Sequence, residues 1–324
     1  MTMNFGFNLK ETKSRPQPKP NHLYDILILG GGPSGMNAAL YAARKGRSVA
    51  LITKRIGGQL LNTNAIENVI GHHTLTGEEL TDKYLTHLDE VDVPVLEDAE
   101  ATSIEKTDSG FKVTLKDQSV YLGKTLITTL GSTPRKLNIP GELEYANRGV
   151  AYCAICDAPL YKGKDVLLAG GGNSAVQAAL DVAMVANSVT LINRSQRRAD
   201  AILIDRIKAN PKITVFLETQ ILEVIGTQAL TGVKVLDKKS QTQRIINGDG
   251  LFIEIGHEPN TDLVKDLVQL DDHQEVIIDV KGQTSCLGLY ACGDMTNTPY
   301  KQIIIAAADG AKAALAANDY LNTH

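Results

Sequence analysis

The chain has 324 residues, 43% hydrophobic and 22% charged, with 28 Gly, 4 Cys and no Trp. Such a length suits two globular domains with their own cores, and the composition excludes a wholly disordered, collagen-like or coiled-coil chain. Lys and Arg number 33 against 37 Asp and Glu, a formal charge of -4, too balanced for the basic surface that a nucleic-acid backbone demands. Four cysteines are too few to staple a secreted scaffold, so any disulfide is expected to be chemical rather than structural and the compartment reducing and cytoplasmic.

Residues 1–22 mix charges and prolines without the apolar run of a signal peptide, and no stretch reaches the ~18 apolar residues of a membrane span. They read as a flexible N-terminal extension. Tyr24 to Leu29, YDILIL, is apolar but for Asp25 and reads as a run of the kind a strand buried on both faces shows. Glycines follow, then an Ala- and Leu-rich helix from Gly35 that stops at Gly46, then a strand from Ser48 to Thr53. The same β-α-β pattern returns as a strand at Asp165 to Ala169, a helix from Ala175 and a strand at Ser188 to Ile192. Phe111 to Leu115 and Val120 to Thr125 suit antiparallel hairpins, and Gly232 to Leu236 and Gly250 to Ile255 read the same way.

Gly30-x-Gly32-x-x-Gly35 lies between a strand and a helix, the context in which such a turn binds a dinucleotide. The first Gly makes the tight turn, the second lets the backbone approach a pyrophosphate, and the third lets helix and strand pack closely. Gly170-x-Gly172-x-x-Ala175 is the variant with Ala in third place. Two turns of this kind point to a flavin and a nicotinamide. The acid expected to hold a ribose is absent after both second strands: Thr53 and Lys54 follow the first, Asn193 and Arg194 the second. Arg194, with Arg197 and Arg198 just beyond, would attract a 2′-phosphate and favours NADPH over NADH; the alternative is that these arginines only solvate a loop.

Cys153-Ala154-Ile155-Cys156 is the one C-x-x-C, and Asp157 follows it. Its spacing allows a redox disulfide or half of a metal site, but no second C-x-x-C or His pair stands at a matching interval, so no metal is expected. A redox pair needs an accessible thiolate and a proton donor, and Asp157 is placed to move that proton or to cap a helix. Cys286 and Cys292 are expected only to pack.

Taken together, GGGPSG at Gly30, GGQL at Gly57, IEN ending at Asn68, CAICD at Cys153, GGGNSA at Gly170, GLYACGD ending at Asp294 and PYKQIIIAAADGAKAA from Pro299 are similar to the motifs of a known family. From Tyr24 to Leu321 the chain resembles the low-molecular-weight thioredoxin reductases and the flavoprotein component of alkyl hydroperoxide reductase that shares their catalytic core. The resemblance implies an α/β protein with two Rossmann-like three-layer nucleotide-binding domains of the FAD/NAD(P)-binding fold, one inserted in the other. Residues 23–128 and 254–324 would form the FAD-binding domain and 129–253 the NAD(P)H-binding domain carrying the C-x-x-C, with a helix from Lys301 to Leu321 returning to the first.

By the same resemblance, FAD would be held by Gly30, Gly32, Pro33, Ser34, Gly35, Gly58, Gln59, Leu60, Asn68, Gly293, Asp294, Lys301, Gln302 and Ile303. Asp294 would take the ribityl chain, and the Gln302 and Ile303 N–H groups would face the isoalloxazine ring. NADPH or NADH would lie on Gly170, Gly172, Asn173, Ser174, Ala175, Asn193, Arg194 and Arg198. Cys156 would meet the flavin, Cys153 would attack the disulfide of thioredoxin or a glutaredoxin-like carrier, Asp157 would handle the proton, and the protein would be a homodimer whose inserted domain rotates between two arrangements. The first hinge reads Thr129-Leu130-Gly131 where the family shows Ala-Thr-Gly, a loss of a hydroxyl at the middle position. Two alternatives are a flavoprotein disulfide reductase driven by ferredoxin or NADH, including the electron donor of a peroxide reductase, and a non-catalytic NAD(P)-sensing protein.

Overall fold

The computed structural model describes residues 15–63, 66–196 and 199–324. The chain divides into two compact units. Of the described residues, the first comprises 15–58, Asp82–Leu130 and Thr261–His324; the second comprises Gln59–Thr81 and Gly131–Asn260.

In the first unit, β1 (Leu23–Leu29), β2 (Val49–Ile52), β3 (Val95–Leu96), β4 (Ala101–Thr107), β5 (Gly110–Leu115) and β6 (Val120–Thr128) form one sheet in the order β3-β2-β1-β6-β5-β4. The strands from β3 to β6 are parallel, and β5 and β4 continue antiparallel. A seventh strand, Leu289–Ala291, pairs with the C-terminal end of β6. Ile26, Leu27 and Ile28 of β1 are wholly buried, which is why this strand reads as a largely apolar run rather than an alternating one. Each such side chain contributes ~1.5–3 kcal/mol of burial. Helix α1 (Pro33–Arg44) follows β1 and packs along α6 (Ile303–Thr323), the C-terminal helix of the chain. Helix α2 (Gly77–Asp89) opens with a capping box, in which Glu79 N donates to the Thr76 hydroxyl and Thr76 N to the Glu79 carboxylate. The chain passes from the second unit to the first within it.

The tail differs from expectation over its last eight residues. The Arg15 guanidinium grips Asp89 with two nitrogens and reaches Glu97, the Pro16 carbonyl accepts from Val95 N, and Pro18 is buried. Residues 15–22 are thus tied to the first unit; residues 1–14 of the expected extension lie outside the described residues.

In the second unit, β7 (Ser132–Pro134), β8 (Val150–Ala151), β9 (Asp165–Ala169), β10 (Ser188–Ile192), β11 (Ile213–Phe216), β12 (Thr219–Gly226), β13 (Leu230–Asp237), β14 (Thr242–Asn247), β15 (Gly250–Ile253) and β16 (His257–Pro259) make three sheets. The largest runs β11-β10-β9-β15-β8 and is parallel throughout. Strands β12-β13-β14 form an antiparallel meander, and β7 pairs with β16 where the chain enters and leaves the unit. Helix α3 (Ala154–Asp157) is a single turn after β8, α4 (Asn173–Val185) follows β9, and α5 (Ala201–Ala209) precedes β11.

Gly250 to Ile255 corrects the sequence reading, because it is not a hairpin strand. β15 sits inside the parallel sheet between β9 and β8, and all four of its residues are buried. The continuous run Gly-Leu-Phe-Ile is the pattern of a strand covered on both faces.

Candidate functional site

The first glycine turn is shaped by contacts that leave no room for side chains behind it and open space before it. A Cβ on Gly35 would lie 1.9 Å from the Gly30 carbonyl oxygen, so only glycine lets α1 start this close to β1. At Gly32, by contrast, nothing lies within 4 Å of where a Cβ would stand. Gly32 is the N-cap of α1, no side chain caps it, and the first turn carries no acid. An uncapped helix start with positive dipole and an unobstructed backbone fits a pyrophosphate. The Thr129 hydroxyl donates to the Gly30 carbonyl at 2.8 Å and to that of Leu29 at 3.0 Å. The hydroxyl absent from the middle of the first hinge is therefore present one residue earlier, bracing the turn.

The second turn repeats the arrangement in the other unit. Gly172 is the uncapped N-cap of α4, again with no atom within 4 Å of a Cβ position and no acid in the first turn. Gly172, Asn173 and Ser174 are exposed, whereas Ala175 is buried with its methyl close to Gly170. Here the third position carries the methyl and the first must lack one. Asn193 is buried behind Gly171: its Nδ2 donates to the Gln196 carbonyl and its Oδ1 accepts from Ser195 N. It shapes the loop that presents Arg194, which is exposed. Asn173 exchanges two hydrogen bonds with Asp200, fixing the start of α4 to the loop before α5. Arg197 and Arg198 lie outside the described residues.

The remaining residues assigned to FAD divide between the units. Pro33 and Ser34 form the first turn of α1, and Gly293, with φ +75°, stands against the Ser34 hydroxyl. Asp294 follows it, half-buried. Lys301 forms an ion pair with Glu275 at 3.0 Å, and Gln302 and Ile303 are the N-cap and first residue of α6. Gly58 lies in the first unit, while Gln59, buried Leu60 and exposed Asn68 belong to the second, where Gln59 Nε2 donates to the Ser132 carbonyl at 2.8 Å.

Cys153 and Cys156 form a disulfide across α3. Cys153 is the N-cap, and its sulfur accepts from Cys156 N at 3.3 Å, so a thiolate there would already hold a donor. Asp157 makes no capping bond. Its carboxylate instead accepts from the Thr63 hydroxyl at 3.3 Å, and it lines a cavity of about 50 Å³ together with Thr63, Asn147, Tyr161 and their neighbours. Burial pushes its carboxyl up to about 6, partly offset by the Thr63 bond. That value suits a group that takes up and gives back a proton near neutrality. Thr63 carries no motif that marks it in sequence, and Thr129 stands in the first hinge where the family shows Ala; their roles come from partners 94 and 99 residues away.

Cys286 and Cys292 are buried and form no disulfide, and burial raises the Cys292 thiol, leaving it inert. Among the described residues, no group of three or more His, Cys, Asp and Glu side chains is placed to hold a metal ion, and no helix is long and apolar enough to cross a membrane.

The F subunit of alkyl hydroperoxide reductase from Staphylococcus aureus is 43% identical over 299 residues, which are 92% of this chain and 59% of that protein. The chain thus spans less than two thirds of the length of this relative. Among solved structures, thioredoxin reductase from Streptococcus pyogenes superposes with a TM-score of 0.88 at 37% identity, covering 94% of this chain and all of that one. Thioredoxin reductase from Giardia duodenalis gives 0.86 at 28% identity, covering 93% and 99%. The family described as pyridine nucleotide-disulphide oxidoreductase matches residues 24–310, and the chain belongs to it.

Proposed function

We propose that this chain is an FAD-dependent disulfide oxidoreductase that passes electrons from NAD(P)H through the Cys153–Cys156 pair to a thioredoxin-like carrier, working as a homodimer. The carrying observation is the disulfide on α3 with a half-buried carboxyl, Asp157, raised to about 6 beside it. In this reading the first unit holds FAD on the Gly30 turn and the second holds NAD(P)H on the Gly170 turn. FAD, when bound, carries the electron pair from the nicotinamide to the disulfide.

The chain's own residues bind, orient and move protons. Thr129 fixes the Gly30 carbonyl so that the N–H groups of α1 stay aimed at phosphate. The exposed Arg194 beside Gly172–Ser174 gives a 2′-phosphate a charge-assisted partner. When the disulfide opens, Cys156 N already points at the Cys153 sulfur, and Asp157 supplies the proton that one of the two sulfurs requires. The dithiol then exchanges with the carrier's disulfide through a mixed disulfide at Cys153, the sulfur at the open start of the turn.

A second acceptor is favoured by the 43% identity to the F subunit of alkyl hydroperoxide reductase: a peroxide-reducing thiol protein fed directly or through a carrier. Steady-state oxidation of NADPH and NADH in the presence of thioredoxin, a glutaredoxin-like protein or a peroxiredoxin with peroxide separates these acceptors. In each case Cys156→Ser abolishes acceptor reduction with FAD still bound. Carrier reduction that survives Cys156→Ser would overturn the proposal.

A further inference from the structure

Glu254 follows the last residue of β15, and its backbone N donates to the Ala169 carbonyl at the end of β9, directly before the Gly170 turn. Its side chain reaches the start of α3. Glu254 Oε1 accepts from Ala154 N at 2.9 Å, so a carboxylate sits on the peptide bond that immediately follows Cys153, 100 residues distant in sequence. Burial pushes this carboxyl up to about 7, with the Ala154 bond opposing the rise. Among the described residues no lysine or arginine pairs with it; the nearby Arg135, close to Gly256, is engaged by Glu258 at 3.2 Å.

The titratable groups on the elements around Glu254 are few. Helix α3 and its N-cap bring Cys153, Cys156 and Asp157, and the turn after it brings Tyr161, whose ring packs edge-on against Phe252 of β15 and whose burial keeps its hydroxyl neutral. Tyr152, just before them, donates its hydroxyl to Glu142. The adjoining ends of β8 and β9, and the Gly170–Ala175 turn, bring none. An ionised Glu254 therefore adds a charge without a counter-ion beside the disulfide motif.

We propose that Glu254 is a positioning residue for the redox pair: its carboxylate, anchored on the Ala154 amide, opposes thiolate formation at Cys153–Cys156 while ionised, and it takes up a proton when the pair is reduced. The inference rests on the redox reading of that pair given above. Reduction delivers two electrons, breaks the S–S bond and leaves two sulfurs that need two protons. The reductant releases those two protons with its electrons: Asp157 relays one to a sulfur, and Glu254, whose proton affinity rises when a thiolate appears nearby, holds the second until the other sulfur takes it. An unpaired carboxylate on the amide next to Cys153, at the intermediate effective dielectric of a partly buried site, is expected to shift the equilibrium by roughly tenfold.

The test equilibrates the full-length FAD-loaded protein anaerobically with mixtures of reduced and oxidised dithiothreitol, whose dithiol gives up two electrons and closes to its own disulfide. Thiols at Cys153 and Cys156 are trapped with maleimide and counted by mass. At pH 8, where wild-type Glu254 is ionised, Glu254→Gln is expected to raise the dithiol-to-disulfide ratio about tenfold. At pH 5.5, where Glu254 is already neutral, the two proteins should agree within about twofold. Glu254→Ala should shift in the same direction as Glu254→Gln; if it fails to fold, the Gln variant alone decides. Equal ratios at pH 8, or the same offset at both pH values, would overturn the proposal. A wild-type pair that dithiothreitol cannot reduce at any ratio would instead overturn the redox reading, and this inference with it.

Discussion

Replacing Asp157 by Asn should make the second unit more stable at alkaline pH while removing activity. The Asp157 carboxyl stands at about 6 against an ordinary 3.8, chiefly because burial disfavours its charge. A folded-state value above the unfolded one means that the protonated form is the one folding favours. Its contribution is therefore fully present below pH 3.8 and is lost as pH rises to about 6. The difference between the two values corresponds to roughly 3 kcal/mol at pH 8. Asn keeps an oxygen for the Thr63 hydroxyl and carries no charge, so it escapes this cost. Thermal melts followed by far-UV circular dichroism suit a chain without Trp. For a domain of this size ~3 kcal/mol moves the transition upward by roughly 6–12 °C, and the difference from wild type should vanish toward pH 4. An Asn variant that melts below wild type at pH 8, or an offset that does not grow with pH, would refute the burial argument.

The two glycines of the first turn should behave oppositely. Gly35→Ala puts a methyl 1.9 Å from the Gly30 carbonyl and should abolish soluble, flavin-coloured protein. Gly32→Ala meets no atom within 4 Å, so its melting temperature should stay close to wild type while flavin absorbance after gel filtration falls. Arg194→Ala should raise the KM for NADPH by about 10–100-fold, the loss of one charge-assisted hydrogen bond, and leave the KM for NADH within about twofold in steady-state assays. Arg15→Ala frees Asp89 and Glu97, and because the pair is partly exposed it should cost no more than ~1 kcal/mol in chemical denaturation.

Both β-α-β patterns are read directly, because buried parallel strands are mostly apolar runs and the turns that follow them admit no other residue at Gly35 or, given the Ala175 methyl, at Gly170. The redox pair was legible for the same reason: C-x-x-C is local and its chemistry depends on that spacing. What escaped was set by distant partners. Gly250 to Ile255 reads as a hairpin strand, since nothing near it in sequence says that β9 and β8 flank it. Arg15 looked like part of a loose tail because Asp89 and Glu97 lie 74 and 82 residues away. Glu254 is a lone acid at the end of an apolar run with no motif around it, and only the parallel sheet delivers its carboxylate to Ala154. The segment 59–81 followed β2 in the expected domain plan, yet it belongs to the compact unit that holds α3, where Thr63 meets Asp157.

The central claim is that electrons from a nicotinamide reach Cys153 and Cys156. It is tested most directly by adding one equivalent of NADPH or NADH to the FAD-loaded protein without oxygen, quenching with an alkylating agent under denaturing conditions, and mapping the labelled cysteines by mass spectrometry. New label at Cys153 and Cys156 together, with Cys286 and Cys292 unchanged from the untreated protein, is the predicted result. A flavin that bleaches with either nucleotide while that disulfide stays closed would contradict the account.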